Sequence, residues 1–291
     1  MSTASIETAD KVRAIGREIL PAIMPSQEIY AGQHETEPYA GVTVTRDAQY
    51  GPHARNRLDV FAAEGVSGKR PIFIFVHGGG FVMGDKRPHP SSPYLDNVAL
   101  WAARHGLVGI NITYRLAPEF QFPSGAEDLA AAVAWARQHA AEFGGDPQRI
   151  FVMGTSAGAV HVADFIAQPQ FQAAHAGVKG AILLSGIYDV TFGGAPSAPA
   201  YYGEDASSHA AKSSLPGLLE STIPVMFVVT EFDPEPFERQ AMRVLEKWTE
   251  RHGAWPFFLR LMGHNHLTST FHLNTDDDYL GVQMLRFMGS A

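Results

Sequence analysis

The sequence predicts an α/β fold in which a mostly parallel sheet is covered by helices. From residue 70 onward, short apolar runs rich in β-branched residues alternate with amphipathic segments, as they do in such folds. Several of these runs are uniformly apolar, which is typical of strands buried on both faces. The chain has 291 residues, of which 45% are hydrophobic and 18% charged, so it can bury a sizeable core. We expect one folded domain over residues 1–291.

The elements follow from these patterns in chain order. Alternation on either side of Gly51 and Pro52 predicts an antiparallel hairpin over 42–64 at an edge of the sheet. The apolar runs predict six further strands, and helical spacing of apolar residues predicts three long helices. The strands are expected at 72–76, 107–114, 149–154, 180–186, 225–230 and 256–261, and the helices at 125–143, 235–252 and 277–288.

Two segments fall outside this repeating pattern. Residues 1–35 include a predicted helical stretch from Lys11 to Leu20, and residues 187–222 are rich in Gly, Pro, Ala and Ser. Long insertions inside a compact domain are usually functional. We therefore expect both segments to form a small cap or lid over the carboxyl edge of the sheet.

Composition excludes several functional classes. The net charge of −8 and the lack of a dense basic run argue against a nucleic-acid partner. The sequence has no cysteine, which removes disulfides, thiolate nucleophiles and cysteine-ligated metals. No apolar stretch is long enough for stable membrane insertion, and the first residues do not resemble a signal peptide. The expected location is the cytoplasm.

The pentapeptide "GTSAG", residues 154–158, follows a predicted strand and precedes a predicted helix. This context is the one that the nucleophile-elbow motif G-x-S-x-G requires. The turn is so tight that its flanking positions must be small, as Gly154, Ala157 and Gly158 are. The interpretation makes Ser156 an exposed nucleophile, whereas an ordinary glycine-rich turn is the simpler alternative.

A serine nucleophile needs a base and an acid that orients the base, in the chain order Ser, acid, His for this fold. The acid is expected just after a later strand, where "VVTEFDPEP" offers Asp233 and Glu231. Asp233 is preferred because Pro234 and Pro236 fix a rigid loop around it. Glu231, at the end of the strand, is also compatible with a solvated edge residue.

The base is expected after the next strand, where "MGHNHLTSTFH" contains three histidines. His266 is preferred, with His264 as the second candidate and His272 as a third. Such a cluster beside an acidic tail also raises the question of a metal site. It has no recognisable ligand spacing, so the sequence predicts no metal.

Three consecutive glycines follow a buried strand in "FVHGGGF". Backbone N–H groups stabilise the oxyanion of an ester-hydrolysis intermediate only if no side chain blocks their approach. The expected donors are Gly79, Gly80 and the N–H of Ala157. A phosphate-binding loop is the alternative, but its Lys-Ser/Thr ending is missing, as is a dinucleotide-binding fingerprint.

The motifs "HGGGF", "YRLAPEFQFP", "GTSAG", "FDP" and "GHNH", in this order, resemble the hormone-sensitive-lipase-like branch of the α/β-hydrolases. The resemblance runs from about residue 40 to the end of the chain. It implies an eight-stranded, mostly parallel sheet under a helical cap, no cofactor, and hydrolysis of short to medium acyl esters.

Residue by residue, the resemblance implies a triad of Ser156, Asp233 and His266, with oxyanion donors Gly79, Gly80 and Ala157. It gives His77 the role of a brace for the glycine loop, and it makes Arg115 and Asp128 parts of the scaffold. The chain departs from the family pattern twice: Thr155 stands where many members carry Asp, and Leu267 follows the base where an aromatic residue is common.

The leading hypothesis is a serine carboxylesterase acting on a small-molecule ester, either as a monomer or as a homodimer. One alternative is an arylformamidase of the kynurenine formamidase kind, which cleaves a formamide with the same machinery. The other is a ligand-binding receptor, which the presence of His266 disfavours. Aromatic residues are expected to line the substrate pocket, with packing as the alternative role: Phe81, Tyr188, Phe192, Tyr201 and Tyr202.

Overall fold

The computed structural model describes residues 5–66, 68–194 and 196–291 and is organised around one eight-stranded sheet. Its order is β1-β2-β4-β3-β5-β6-β7-β8; β2 is antiparallel to both of its neighbours, and the other pairs are parallel. The predicted eight-stranded, mostly parallel sheet is confirmed. The strands are β1 Val42–Gln49, β2 Arg57–Ala63, β3 Arg70–Val76, β4 Val108–Ile112, β5 Gly145–Thr155, β6 Val178–Leu184, β7 Val225–Phe232 and β8 Phe257–Asn265.

Helices cover both faces of the sheet. They are α1 Ile6–Ile15, α2 Ile19–Tyr30, α3 Asp96–Arg104, α4 Ser124–His139, α5 Ala157–Ala167, α6 Ala198–Tyr202, α7 His209–Lys212, α8 Leu215–Glu220, α9 Glu235–His252, α10 Thr268–Phe271 and α11 Tyr279–Ser290. Across the described part of the chain, none of these helices is both long and apolar enough to cross a lipid bilayer.

The core is divided by the alternation of side chains along the strands. On β3, Ile72 and Ile74 join a buried cluster with residues of α4, α5 and α9, while Phe73 and Phe75 join a second cluster with α3 and α11. Successive strand residues point to opposite faces, so one central strand anchors both helical layers. This arrangement explains why the central strands are apolar at almost every position.

The hairpin, the six later strands and the three long helices all form close to their predicted positions. The continuous helix predicted from Lys11 to Leu20 is wrong, because Gly16 has a φ of +88° and separates α1 from α2. Helix α3 was not predicted from the sequence. Its residues from Asp96 to Ala103 are all buried, including the polar Asp96 and Asn97, so burial along this helix does not follow the polarity of its residues.

The two segments predicted to form the cap, 1–35 and 187–222, lie in different parts of the fold. Helix α1 packs against β8 and α2 packs against α10, at the same end of the sheet. Within 187–222, α6 lies over the glycine loop, whereas α8 packs between α5 and α9 as part of a helical layer. Residues 1–4 and 195 of these segments lie outside the described residues. The lid role of both segments stays a prediction.

The close approach of α3 to β4 yields a test of the fold. A methyl group on Gly109 would lie 2.3 Å from the Ala99 carbonyl oxygen of α3, so Gly109→Ala must push the helix off the strand. We expect the free energy of unfolding to fall by about 1–3 kcal/mol in urea titrations.

Gly289→Ala is the matched control, since Gly289 is exposed near the end of α11 and no described atom lies within 4 Å of a methyl group placed there. Better helix propensity should raise stability by up to about 1 kcal/mol. Equal stability of the two variants would contradict the packing described here.

Candidate active site

Ser156 lies in a strained turn between β5 and α5. Strand β5 ends at Thr155, Ser156 adopts φ 55° and ψ −122°, and α5 begins at Ala157. A methyl group on Gly154 would lie 2.2 Å from the Gly158 carbonyl oxygen, and one on Gly158 would lie 2.1 Å from the Val76 carbonyl oxygen. Glycine is therefore required at both positions. A non-glycine residue with positive φ at such a turn is the backbone geometry of a nucleophile elbow.

The glycine loop after β3 lies directly against this turn. A methyl group on Gly78 would lie 3.1 Å from the Ser156 Cβ atom. Gly79 has a φ of +130°, and a methyl group there would lie 2.0 Å from the Met83 carbonyl oxygen. The loop thus folds back on itself so tightly that it leaves no room for a side chain at Gly79. This restriction comes from the protein itself and adds to the space that a substrate would need.

The amide groups around Ser156 are available to a ligand. Between the residues that the structure describes, no hydrogen bond engages the N–H group of Gly79, Gly80 or Ala157. Ala157 is also the first residue of α5, where the helix N-terminus favours negative charge. These three N–H groups are the ones predicted from the sequence to stabilise an oxyanion.

Asp233 and His266 form a buried pair. The His266 Nδ1 atom lies 2.6 Å from Asp233 Oδ1, and the two residues are 5% and 0% exposed. Because an ionised carboxylate only accepts hydrogen bonds, Nδ1 carries the imidazole proton. Within the described ranges, His266 Nε2 has no hydrogen-bond partner. This nitrogen is therefore free to accept a proton.

Three residues that hold this pair were missed in the sequence. Ser185 donates a hydrogen bond of 2.6 Å to Asp233 Oδ2, and Arg17 donates one of 2.7 Å to the Asp233 carbonyl oxygen. The Phe237 ring lies 4.4 Å from the His266 ring and joins the apolar cluster that includes Ala157. Ser185 had a detectable signal, since it directly follows β6 at the carboxyl edge of the sheet, where sites in parallel sheets form.

The alternative candidates for the acid and the base, Glu231, His264 and His272, form other contacts. Glu231 Oε2 accepts a hydrogen bond of 2.8 Å from the Gly263 amide, and His264 Nε2 lies 3.1 Å from Asp277 Oδ2. His272 donates from Nδ1 to the Thr268 carbonyl oxygen. The fold brings His264, His272 and Asp277 together, with potential ligand atoms all within 4.8 Å, although their spacing in the sequence predicted no metal-ligating group.

His77 lies beneath the glycine loop. Its ring stacks on Tyr114 at 4.4 Å, its Nδ1 donates to the Gly78 carbonyl oxygen over 2.6 Å, and the Tyr114 hydroxyl donates to the His77 carbonyl oxygen over 2.9 Å. Burial lowers the pKa of His77 to about 3, so the ring is neutral. Arg115 donates to Asp128 over 2.9 Å in the same layer. All of these contacts join His77, Tyr114, Arg115 and Asp128 to neighbouring protein groups.

Three of the five predicted pocket residues come together. The Phe81 ring stacks on Tyr201 at 4.5 Å and meets Tyr202 edge-on at 5.9 Å, and all three belong to the apolar cluster that includes Ala157 and Phe237. The other two lie elsewhere. Tyr188 packs in the core against Phe227, and Phe192 lies under the guanidinium groups of Arg239 and Arg243.

Comparison with known proteins supports the same fold. A family model described as the alpha/beta hydrolase fold matches residues 73–216. Esterase LipQ of Mycobacterium tuberculosis is 32% identical over 196 residues, which are 64% of this chain and 42% of that protein. Carboxylesterase NlhH of the same organism is 40% identical over 88 residues, 30% of this chain and 26% of the relative. The chain thus spans less than half of the length of these curated relatives.

Solved structures show the same fold at low identity. Esterase B from Lactobacillus rhamnosis superposes with a TM-score of 0.73 at 15% identity, over 98% of this chain and 95% of that one. A thermostable esterase from Pseudomonas putida superposes with a TM-score of 0.67 at 20% identity, over 100% and 96% of the two chains. These matches confirm the predicted α/β-hydrolase fold.

The buried Asp233–His266 contact can be tested by NMR. A short hydrogen bond to a buried carboxylate should shift the His266 Nδ1 proton far downfield of the other imidazole protons. Asp233→Ala should abolish this resonance, and Glu231→Gln should retain it because Glu231 bonds to the Gly263 amide instead. Loss of the resonance in the Glu231 variant alone would contradict the assignment.

Proposed function

Because the chain belongs to the α/β-hydrolase family, as the resemblance to its hormone-sensitive-lipase-like branch predicted, we propose that it is a serine carboxylesterase acting on short to medium acyl esters. The observation that carries this proposal is the buried His266 imidazole, with Nδ1 on Asp233 and Nε2 free, in a fold that places Ser156 at a strained elbow. Serine is a weak nucleophile, and this is the arrangement that activates it.

In the proposed reaction, Ser156 Oγ attacks the ester carbonyl carbon while His266 Nε2 takes the hydroxyl proton. Asp233 holds the imidazole in the correct tautomer and stabilises the imidazolium. His266 then returns the proton to the leaving alcohol, which departs as the acyl-enzyme forms. Water attacks the acyl-enzyme with the same base and releases the acid. No cofactor is required.

The negative charge on the carbonyl oxygen develops beside the glycine loop. The N–H groups of Gly79, Gly80 and Ala157 are the proposed donors, and each donor of this kind contributes about 2.7–4 kcal/mol to lowering the barrier. The tight contact of Gly78 with Ser156 supports this assignment, because it fixes the loop next to the nucleophile before a substrate arrives.

The acyl group is proposed to bind against the apolar wall formed by Phe81, Tyr201 and Tyr202. Support comes from the cluster that these rings share with Ala157, the residue after the nucleophile. The two mycobacterial relatives carry the names esterase and carboxylesterase, which also supports an ester substrate. A cytoplasmic location and the choice between monomer and homodimer stay predictions.

Hydrolysis of p-nitrophenyl acetate and butyrate tests the proposal. Ser156→Ala should lower kcat by about 10⁴-fold or more, because the acyl-enzyme can no longer form. Ser207→Ala should retain full activity. Ser207 lies in an exposed turn, and among the described residues its hydroxyl bonds to Asp205 alone. Equal activity of the wild type and Ser156→Ala would show that the assignment is wrong.

A comparison of two substrates distinguishes an esterase from a formamidase that uses the same catalytic residues. We expect kcat/KM for p-nitrophenyl butyrate to exceed that for N-formylkynurenine when both are measured on one preparation. The reverse order would identify a formamidase. Labelling by a fluorophosphonate probe that is lost in Ser156→Ala would exclude a receptor, whereas no labelling and no turnover of either substrate would favour one.

A further inference from the structure

Next to the candidate triad, but outside it, lies a group of side chains that are capable of ligating a metal. His264 is near the end of β8, His272 directly follows α10, and Asp277 precedes α11. Their potential ligand atoms all lie within 4.8 Å of one another, and the residues are 1%, 0% and 7% exposed. His266, the proposed base, lies between the first two of these residues in the chain.

We propose that His264, His272 and Asp277 bind a zinc ion, with water as the fourth ligand, and that this ion holds the segment carrying His266. Two imidazoles and one carboxylate form a donor set that zinc prefers in proteins. The sequence alone predicts no such site, because the ligands are eight and five positions apart and only the turn of α10 brings them together.

The geometry fits a tetrahedral ion. Ligand atoms held about 2.0–2.1 Å from zinc are roughly 3.3 Å apart from one another. His264 Nε2 and Asp277 Oδ2 are 3.1 Å apart, and the His264 and His272 ring centroids are 4.3 Å apart. The potential ligand atoms, which all lie within 4.8 Å of one another, would have to move closer by side-chain rotation to reach this spacing.

His272 is already oriented as a ligand. Its Nδ1 donates a hydrogen bond of 2.7 Å to the Thr268 carbonyl oxygen, which leaves the lone pair on Nε2. Metal-ligating histidines almost always have such a partner on the second nitrogen.

Several buried polar atoms of this group lack a partner. Asp277 Oδ2 lies 3.1 Å from His264 Nε2, whereas among the described residues His272 Nε2 and Asp277 Oδ1 have no hydrogen-bond partner. The same holds for the hydroxyl of Tyr30, which comes from α2 and is 1% exposed. Leaving buried polar groups unsatisfied is costly, more so when they are charged. An ion ligated by His272 and Asp277 would satisfy the carboxylate and the imidazole together.

The site would join three parts of the fold. An ion here would cross-link the end of β8, the turn after α10 and the loop before α11. Asn265, between His264 and His266, already donates from Nδ2 to Ser26 of α2. Zinc would therefore stabilise the segment that carries the base without touching the reacting atoms.

Metal binding can be measured on the full chain after dialysis against a chelator. We expect one Zn²⁺ per chain, a thermal transition raised by several degrees, and with Co²⁺ the visible absorption of a tetrahedral site. Mg²⁺ at the same concentration should have no effect. Ser156→Ala should bind zinc as the wild type does, so this result is independent of the proposed hydrolysis.

His272→Ala and Asp277→Asn should each weaken zinc binding by roughly 100-fold or more. His139→Ala is the matched control, because His139, the last residue of α4, pairs with the exposed Glu142 and should not affect binding. Circular dichroism of the metal-free proteins verifies folding, and His272→Gln replaces His272→Ala if the latter unfolds. Wild-type protein without stoichiometric zinc, or variants that bind as tightly as the wild type, would overturn the proposal and leave a His264–Asp277 ion pair.

Discussion

The rest of the site depends on the contact between the end of β3 and the start of α5, where two backbones meet with no side chain between them. Gly158 lies against the Val76 carbonyl oxygen, and Gly78 lies against the Ser156 side chain. This contact holds the glycine loop beside Ser156 and keeps Ser156 in its positive-φ conformation. The two halves of the proposed chemistry, nucleophile and oxyanion donors, are thus positioned by one packing constraint that only glycine satisfies.

A second constraint is the burial of Asp233, which is costly for a charged group unless its oxygens are bonded. The Ser185 hydroxyl and the Thr230 amide both donate to Oδ2, while His266 donates to Oδ1. These donors come from the carboxyl ends of three neighbouring strands. The parallel sheet therefore supplies the acid with its hydrogen bonds and directs the remaining oxygen at the imidazole.

Local patterns predicted most of the fold and the central site residues. Ser156 and the three glycines lie at fixed offsets from apolar strands, and Asp233 and His266 follow strands whose order in a parallel sheet is constrained. Other features depend on contacts between distant residues. The sequence showed neither the burial of α3 from Asp96 to Ala103 nor the placement of Phe192 under two arginines. The approach of His264, His272 and Asp277 also arises only when α10 turns back toward α2. A short-range pattern does not encode such contacts.

The most direct test of the account is a crystal structure of the protein inhibited by an alkyl phosphonate. The account predicts a covalent bond from Ser156 Oγ to phosphorus, the phosphonyl oxygen within hydrogen-bonding distance of the Gly79, Gly80 and Ala157 amides, and the alkyl chain against Phe81. A phosphonate bound to another residue, or a phosphonyl oxygen directed away from the glycine loop, would contradict it.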